Sequence, residues 1–273
     1  MSEPAPRRLG RLGQRDPKLP SDRDWERSDL LEPQPGPRHP TLISDGGGLP
    51  FPPAAVAGPP GPLDPGDPAV AGLLAHLTER AAPKRASRAP WKRGAPTPPP
   101  TPPASLDGWR LLARKDGEVL FARGVPPQML TMAFRLETRR RTWSCFGSSA
   151  ARPLRATRDG IRASSWRLDP THDAKADETV LRLLVSEQAF ASGQRASGRV
   201  LAPELYVDAG ELVLTIFVTP MAGFQNGTPN PETPVRVALP HPVGPRRLID
   251  GALVDFSRPT AQAGPDAPAG GDQ

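Results

Sequence analysis

The sequence predicts an all-β protein: an antiparallel β-sandwich of about nine or ten strands, with a long disordered Pro-rich N-terminal arm and a short C-terminal tail. Three observations carry that reading. Of the 39 prolines, 24 lie within residues 1–104. Beyond that point short alternating apolar segments recur with turn residues between them, and no helical pattern longer than two turns interrupts them. The chain is 37% hydrophobic and 5% aromatic, which suits one modest core and not several.

The arm comes first. Residues 1–104 have little β-branched or aromatic periodicity, so they are expected to bury too little apolar surface to offset their ordering entropy. The proline run over 96–103 reads as a semi-rigid polyproline II spacer. Inside the arm, Asp67-Pro68 has the form of an N-cap followed by Pro at the first helical position. Val70, Leu73, Leu74 and Leu77 then follow at helical spacing, with Pro83 as the stop. This predicts an amphipathic helix over about 69–82, marginal alone in water. It either docks on the domain or on a partner, or forms only transiently. After it, Lys84, Arg85, Arg88, Lys92 and Arg93 surround Trp91, a pattern open to contact with an anionic surface.

The domain is expected over 105–256. Trp109–Arg114 and Glu118–Arg123 flank Lys115-Asp116-Gly117, and Asp-Gly between alternating segments is a strong two-residue hairpin signal. That register sets Lys115 against Glu118 and Leu112 against Phe121. Apolar residues on both faces imply a sheet with a covered face. Further strands are expected at Gln128–Arg135, Thr142–Phe146, Arg162–Leu168, Glu178–Ser186, Gly198–Val207, Glu211–Thr219, Pro234–Leu239 and Leu248–Phe256. Asp208-Ala209-Gly210 marks a second hairpin. Leu212, Leu214, Ile216 and Val218 share one face of its second strand while Val213 and Phe217 share the other, the mark of a central strand. Residues 257–273 return to tail composition.

Charge and chemistry narrow the functional classes. The net charge is +6, but it is unevenly spread, with nine basic and two acidic residues between 135 and 167. Only 5 of the 35 basic residues are Lys, an Arg bias that G+C-rich coding produces regardless of function. One cysteine, Cys145, excludes an intramolecular disulfide and a Cys-based zinc site. The histidines His39, His76, His172 and His241 have no ligand spacing, so neither a metal nor a cofactor is expected. Trp143 and Cys145 share a strand face, and without a nearby His the thiol reads as core. The phosphate-loop, dinucleotide, zinc-protease, nucleophile-elbow and C-x-x-C signatures are absent. No signal peptide or transmembrane run is visible, which implies a cytoplasmic protein.

Three polar loops remain as candidates: 186–200, 223–231 and 242–251. Clustered at one end of a sandwich, they would bring together Glu187, Ser192, Arg195, Asn230, Arg246 and Asp250 as a binding site. The bland alternative is that Asn230 and Asp250 form Asx-turns and Arg246 pairs with an acid to hold a corner.

Several of these residues carry a resemblance. Gly108-Trp109-Arg110, Trp166-x-Leu168-Asp169-Pro170, Ala191-Ser192-Gly193, Gln225 through Asn230-Pro231 to Pro234-Val235, and Pro242-Val-Gly-x-Arg246-x-Leu248-x-Asp250-Gly251 together resemble an uncharacterised actinobacterial β-rich family over about Gly108–Gly251. Its members are often exported or membrane-anchored, and no activity comes with the resemblance. Relatives tend to have Cys at the positions of Phe190 and Gly227, which implies a disulfide in them and a reducing setting here. The resemblance further implies that Phe190 packs against Gly227 to fill the vacated space.

The leading functional expectation is a non-enzymatic binding module, presented on a flexible arm and engaging another protein. One alternative is a hydrolase using Glu187 or Asp250 with Arg246 as anion clamp. The other is electrostatic binding of nucleic acid or anionic lipid through Arg135, Arg139, Arg140, Arg141, Arg152, Arg155, Arg158 and Arg162.

Overall fold

The computed structural model describes residues 19–82, 104–126, 129–150, 152–172 and 175–254. The expected Pro spacer, the basic cluster around Trp91 and the tail 257–273 lie outside those residues. In chain order the elements are α1 (Asp22–Glu26), β1 (Asp29–Leu31), β2 (Gln34–Pro35), β3 (Ile43–Ser44), a 3-10 turn (Pro53–Val56), α2 (Pro68–Ala81), β4 (Trp109–Lys115), β5 (Glu118–Arg123), β6 (Leu130–Glu137), β7 (Thr142–Ala150), β8 (Arg155–Arg158), β9 (Ile161–Leu168), β10 (Val180–Ser186), β11 (Glu204–Val207), β12 (Glu211–Phe217), β13 (Thr233–Ala238) and β14 (Arg247–Asp250). The fold is all-β with sandwich-like sheets, one of ten strands and one of four.

The smaller sheet follows the order β4-β5-β6-β7. Asp116 and Gly117 sit at φ 46° and 77°, the left-handed pair that a tight hairpin needs, and Lys115 faces Glu118 as expected. A bulge between Leu111 and Ala113 shifts the rest of the register. Leu111, not Leu112, opposes Phe121. Successive residues of β5 alternate between two cores, with Val119 and Phe121 on one side and Leu120 and Ala122 on the other.

Helix α2 covers the first side. Its N-cap is Asp67, whose carboxylate accepts from the Ala69 amide at 2.8 Å and also pairs with Arg114. Ala69, Val70 and Leu73 pack on Trp109, Phe121, Met132 and Phe134. Mid-helix Gly72 is required by close approach, because a Cβ there would lie 2.7 Å from the Cβ of Trp143. The predicted helix therefore forms and docks on its own domain. Ile43, Phe51 and Val56 cover the opposite face, against Leu112, Leu120 and Ala133.

The larger sheet contains the row β1-β13-β10-β9-β12-β11-β2. Its two end strands, β1 and β2, are joined by only Glu32 and Pro33. A flat row of seven strands would set its ends about 29 Å apart, whereas the step from Leu31 to Gln34 reaches at most about 11 Å. The row must curl until its ends meet. The result is a barrel in which residues 29–35 form one stave, parallel to β13 through Asp29–Leu31 and to β11 through Gln34–Pro35. Its interior holds Leu181, Leu183, Val185, Leu205, Leu212, Leu214, Ile216, Val218, Val235 and Val237. Strand β14 pairs in parallel with the first half of β12, while the second half of β12 pairs with β9. Between them, the indole N–H of Trp166 donates to the Leu214 carbonyl at 2.9 Å. Three parallel pairings thus interrupt the expected antiparallel arrangement, each made by a short strand.

The expectation that residues 1–104 form a disordered arm is corrected for 19–82. Ser21 caps α1 in a reciprocal capping box with Asp24. Trp25 is buried beneath the guanidinium of Arg182, 5.6 Å from the ring centroid. Arg236 donates to the Ser28 hydroxyl and carbonyl at 3.1 and 2.9 Å. Full burial of a side chain such as Phe51, Ile43 or Leu73 contributes roughly 1.5–3 kcal/mol, and these anchors tie the Pro-rich segment to the sheets. Between the sheets, Asp45 accepts from the Thr131 hydroxyl and from the Gly47 amide.

Candidate functional site at the loop end of the barrel

Strand direction decides which loops meet. Segment 186–200 leaves the end of β10 and segment 220–231 leaves the end of β12, and they converge. Segment 242–246 lies at the opposite end. There the Val243 amide donates to the Glu178 carbonyl at 3.1 Å and the Arg247 amide to the Gly210 carbonyl at 2.9 Å. Because β14 runs parallel to β12, its leading loop must enter beside the start of β12, roughly 20 Å from the other two. The six predicted residues therefore do not form one cluster.

Glu187, Ser192 and Asn230 do come together. The Glu187 carboxylate, almost wholly buried, takes both guanidinium nitrogens of Arg199 at 2.6 and 2.7 Å, the two-point geometry that suits this pair. Arg199 also donates to the Thr219 carbonyl at 2.7 Å. Asn230 accepts from the Ala191 amide at 2.9 Å and donates to the Ala189 carbonyl at 2.7 Å. The Ser192 hydroxyl donates to Gln225 Oε1 at 2.9 Å and accepts from the Asn226 amide at 3.2 Å. Ser192 sits at φ 51°, a conformation held by these cross-loop bonds. Arg195 joins the same end but pairs with Asp24 of α1 at 3.1 Å. The Gly198 amide donates to Asp29 of β1 at 3.1 Å.

Arg246 and Asp250 serve their own surroundings. Arg246 donates to the Val243 and Pro242 carbonyls of its own loop. Asp250 lies on β14, accepts from the Ala252 amide at 2.9 Å, and burial pushes its carboxyl up to about 6. Its charged neighbour is Arg155, not Arg246. The hydrolase arrangement that needs Glu187 or Asp250 beside Arg246 is thus not assembled.

The fold divides the basic stretch. Arg135 pairs with Glu118, and Arg158 with Glu204. Arg155 is buried and Arg162 is half-buried, burial lowering the pKa of both. Arg139, Arg140 and Arg141 are left exposed on the β6–β7 turn, and Arg152 is exposed before β8.

What the loop end exposes is aromatic. Phe224 is 95% and Phe190 59% solvent-exposed, one residue from Gln225 and two from Ser192 respectively. The expected packing of Phe190 on Gly227 is not realised, since a Cβ at Gly227 would meet no atom within 4 Å. Arg199, Gln225, Asp24 and Asp29, which hold this end together, were not among the predicted site residues. For Arg199 and Gln225 the one signal was the density of polar residues at 186–199 and 225–230; Asp24 and Asp29, within what reads as arm, carried none.

Elsewhere, Cys145 is half-buried beside Trp143 and Leu77. Burial pushes its thiol up, against nucleophilic use. Among the described residues no group of three or more His, Cys, Asp or Glu could hold a metal, and no helix is long and apolar enough to cross a membrane. Comparison with family models, curated proteins and solved structures finds no match for the chain.

Proposed function

We propose that the chain is a non-enzymatic protein-binding module whose contact surface is the loop end of the barrel, with Phe190 and Phe224 as anchors. The observation that carries this is the pairing of large exposed rings with a hydrogen-bonded base. Phe224 is 95% exposed, yet its neighbour Gln225 is tied to Ser192. Large aromatics on a pre-ordered loop bind at low entropic cost, since little backbone freedom remains to be lost on association. The partner implied is a protein offering apolar pockets to the two rings.

A photo-crosslinking phenylalanine analogue placed at position 224 of the full chain tests this in extract of the native cell. The expected result is a discrete adduct with a different protein that excess wild-type chain competes away and a Phe190→Ser/Phe224→Ser variant does not. Equal competition by both chains would contradict the proposal.

A further inference from the structure

The chain has two asparagines, Asn226 and Asn230, both on the 223–231 loop, and the residues after them set opposite fates. Asn230 precedes Pro231, which has no backbone N–H and so no amide nucleophile to offer. Its side chain is also committed, accepting from the Ala191 amide and donating to the Ala189 carbonyl and to Glu187. Asn226 precedes Gly227, where no Cβ crowds the backbone nitrogen.

The surroundings of Asn226 leave that nitrogen free. Asn226, Gly227 and Thr228 are all exposed. Among the described residues neither the Gly227 N–H nor the Asn226 side-chain NH₂ has a hydrogen-bond partner. The Thr228 amide donates to Asn226 Oδ1 at 3.1 Å, an Asx-turn that folds the side-chain carbonyl back over the Gly227 peptide unit. The same N–H faces the oxygen on which negative charge develops when a nucleophile adds to that carbonyl. A Cβ at Gly227 would meet no atom within 4 Å, so no packed neighbour resists rotation of the peptide.

We infer that Asn226 is a self-modification site, where the chain closes to a succinimide and reopens as aspartate or isoaspartate. Hydroxide takes the Gly227 amide proton, the nitrogen adds to Asn226 Cγ, and the Cγ–Nδ2 bond breaks to release ammonia, which draws its proton from water. Water then opens the imide at either carbonyl. The balance is a water consumed and an ammonia released, with no other reactant. Both products place a carboxylate where a neutral amide stood, and isoaspartate also lengthens the backbone by a carbon. That change falls beside the Asn226 amide that donates to the Ser192 hydroxyl and beside Gln225, which accepts from it, so the base beneath Phe224 is remade. The step is intrinsic to the chain and is independent of whether Phe190 and Phe224 meet a partner.

The test holds the full chain in mildly alkaline buffer, folded and in parallel unfolded in guanidinium chloride, with peptide masses mapped over days. Folded wild type gains the mass of amide-to-acid conversion at residue 226 and none at 230. Gly227→Ala meets no packed atom and no left-handed backbone, so it folds normally. It slows the gain about tenfold, equivalent to about 1.4 kcal/mol on the barrier. The amides of Ser192 and of residues 224–226 shift in the aged chain, and shift less in Asn226→Asp, which adds the charge without the extra carbon. An intact Asn226 in the folded chain after the unfolded chain has converted, an equal rate in Gly227→Ala, or unmoved Ser192 and Gln225 amides in the aged chain would overturn the inference.

Discussion

Asp29, on the stave that closes the barrel, accepts a hydrogen bond from the Gly198 amide at 3.1 Å, so the closing segment also holds the loop that carries Ser192 and Arg195. Asp24 adds a second tie through Arg195. Fold closure and the shape of the loop end are thereby coupled. Asp29→Ala should lower the unfolding free energy by about 1 kcal/mol and speed hydrogen exchange at the Gly198 amide. Unchanged exchange there would show that the tie does not hold the loop.

Glycine at close contacts gives a second prediction. A Cβ at Gly36 would lie 2.6 Å from the Cβ of Glu204, and one at Gly72 2.7 Å from that of Trp143. Gly36→Ala and Gly72→Ala should each destabilise by about 1–3 kcal/mol. For Gly72 that loss overrides the helix-propensity gain of about 1 kcal/mol for Ala. Gly61→Ala, where a Cβ meets nothing within 4 Å, should be near neutral in the same denaturant titration.

The Glu187–Arg199 pair holds the loop corner. Glu187 keeps 3% of its side chain exposed and Arg199 18%, so the acid suffers more from losing its partner. Arg199→Met should cost about 3–5 kcal/mol by leaving a buried carboxylate uncompensated. Adding Glu187→Gln should recover part of that loss. A double-mutant cycle measures the coupling, and strict additivity would refute it.

Asp250 sets a pH dependence opposite in sign to that of the paired surface acids. Its folded pKa is raised to about 6 from 3.8 by burial, so between those values the folded state holds a proton that the unfolded state has released. Its contribution to stability is fully present below pH 4 and is lost as pH rises through about 6. From pH 4 to pH 7, wild type should lose about 2–3 kcal/mol relative to Asp250→Asn. Asp24, Asp67, Glu178 and Asp208 have lowered pKa values, chiefly from hydrogen bonds or ion pairs that favour the carboxylate. They lose their contribution as pH falls.

Much of the domain was readable because its signals are local. Asp116-Gly117 states its turn, Asp67-Pro68 its helix start, and the alternation of Leu212, Leu214, Ile216 and Val218 one side of a central strand. Residues 29–35 were not readable. Their strands are three and two residues long, and Pro33 and Pro35 look like arm composition. Pro35 is tolerated because the Gln34 and Gly36 amides on either side of it donate toward β11, so no ladder hydrogen bond to β11 is asked of its own nitrogen. Their pairing partners lie some 170 to 200 residues away in the chain. The misplacement of Arg246 and Asp250 has the same origin. Loop content was visible, but the parallel direction of β14 was not, and direction decides the end at which a loop emerges. Arg155 and Arg162 looked like surface charge because sequence spacing does not reveal that Arg155 lies between Ser44 of β3 and Leu253, or that Gly46 packs against the Arg162 guanidinium.

Closure of the barrel by residues 29–35 is tested most directly by hydrogen–deuterium exchange on the full chain. The Gln34 and Gly36 amides donate to the Pro203 and Leu205 carbonyls at 2.8 and 3.0 Å. A closed barrel predicts that they exchange as slowly as the amides of β11. Complete exchange of residues 29–36 at the shortest labelling time, with β11 and β12 still protected, would contradict it.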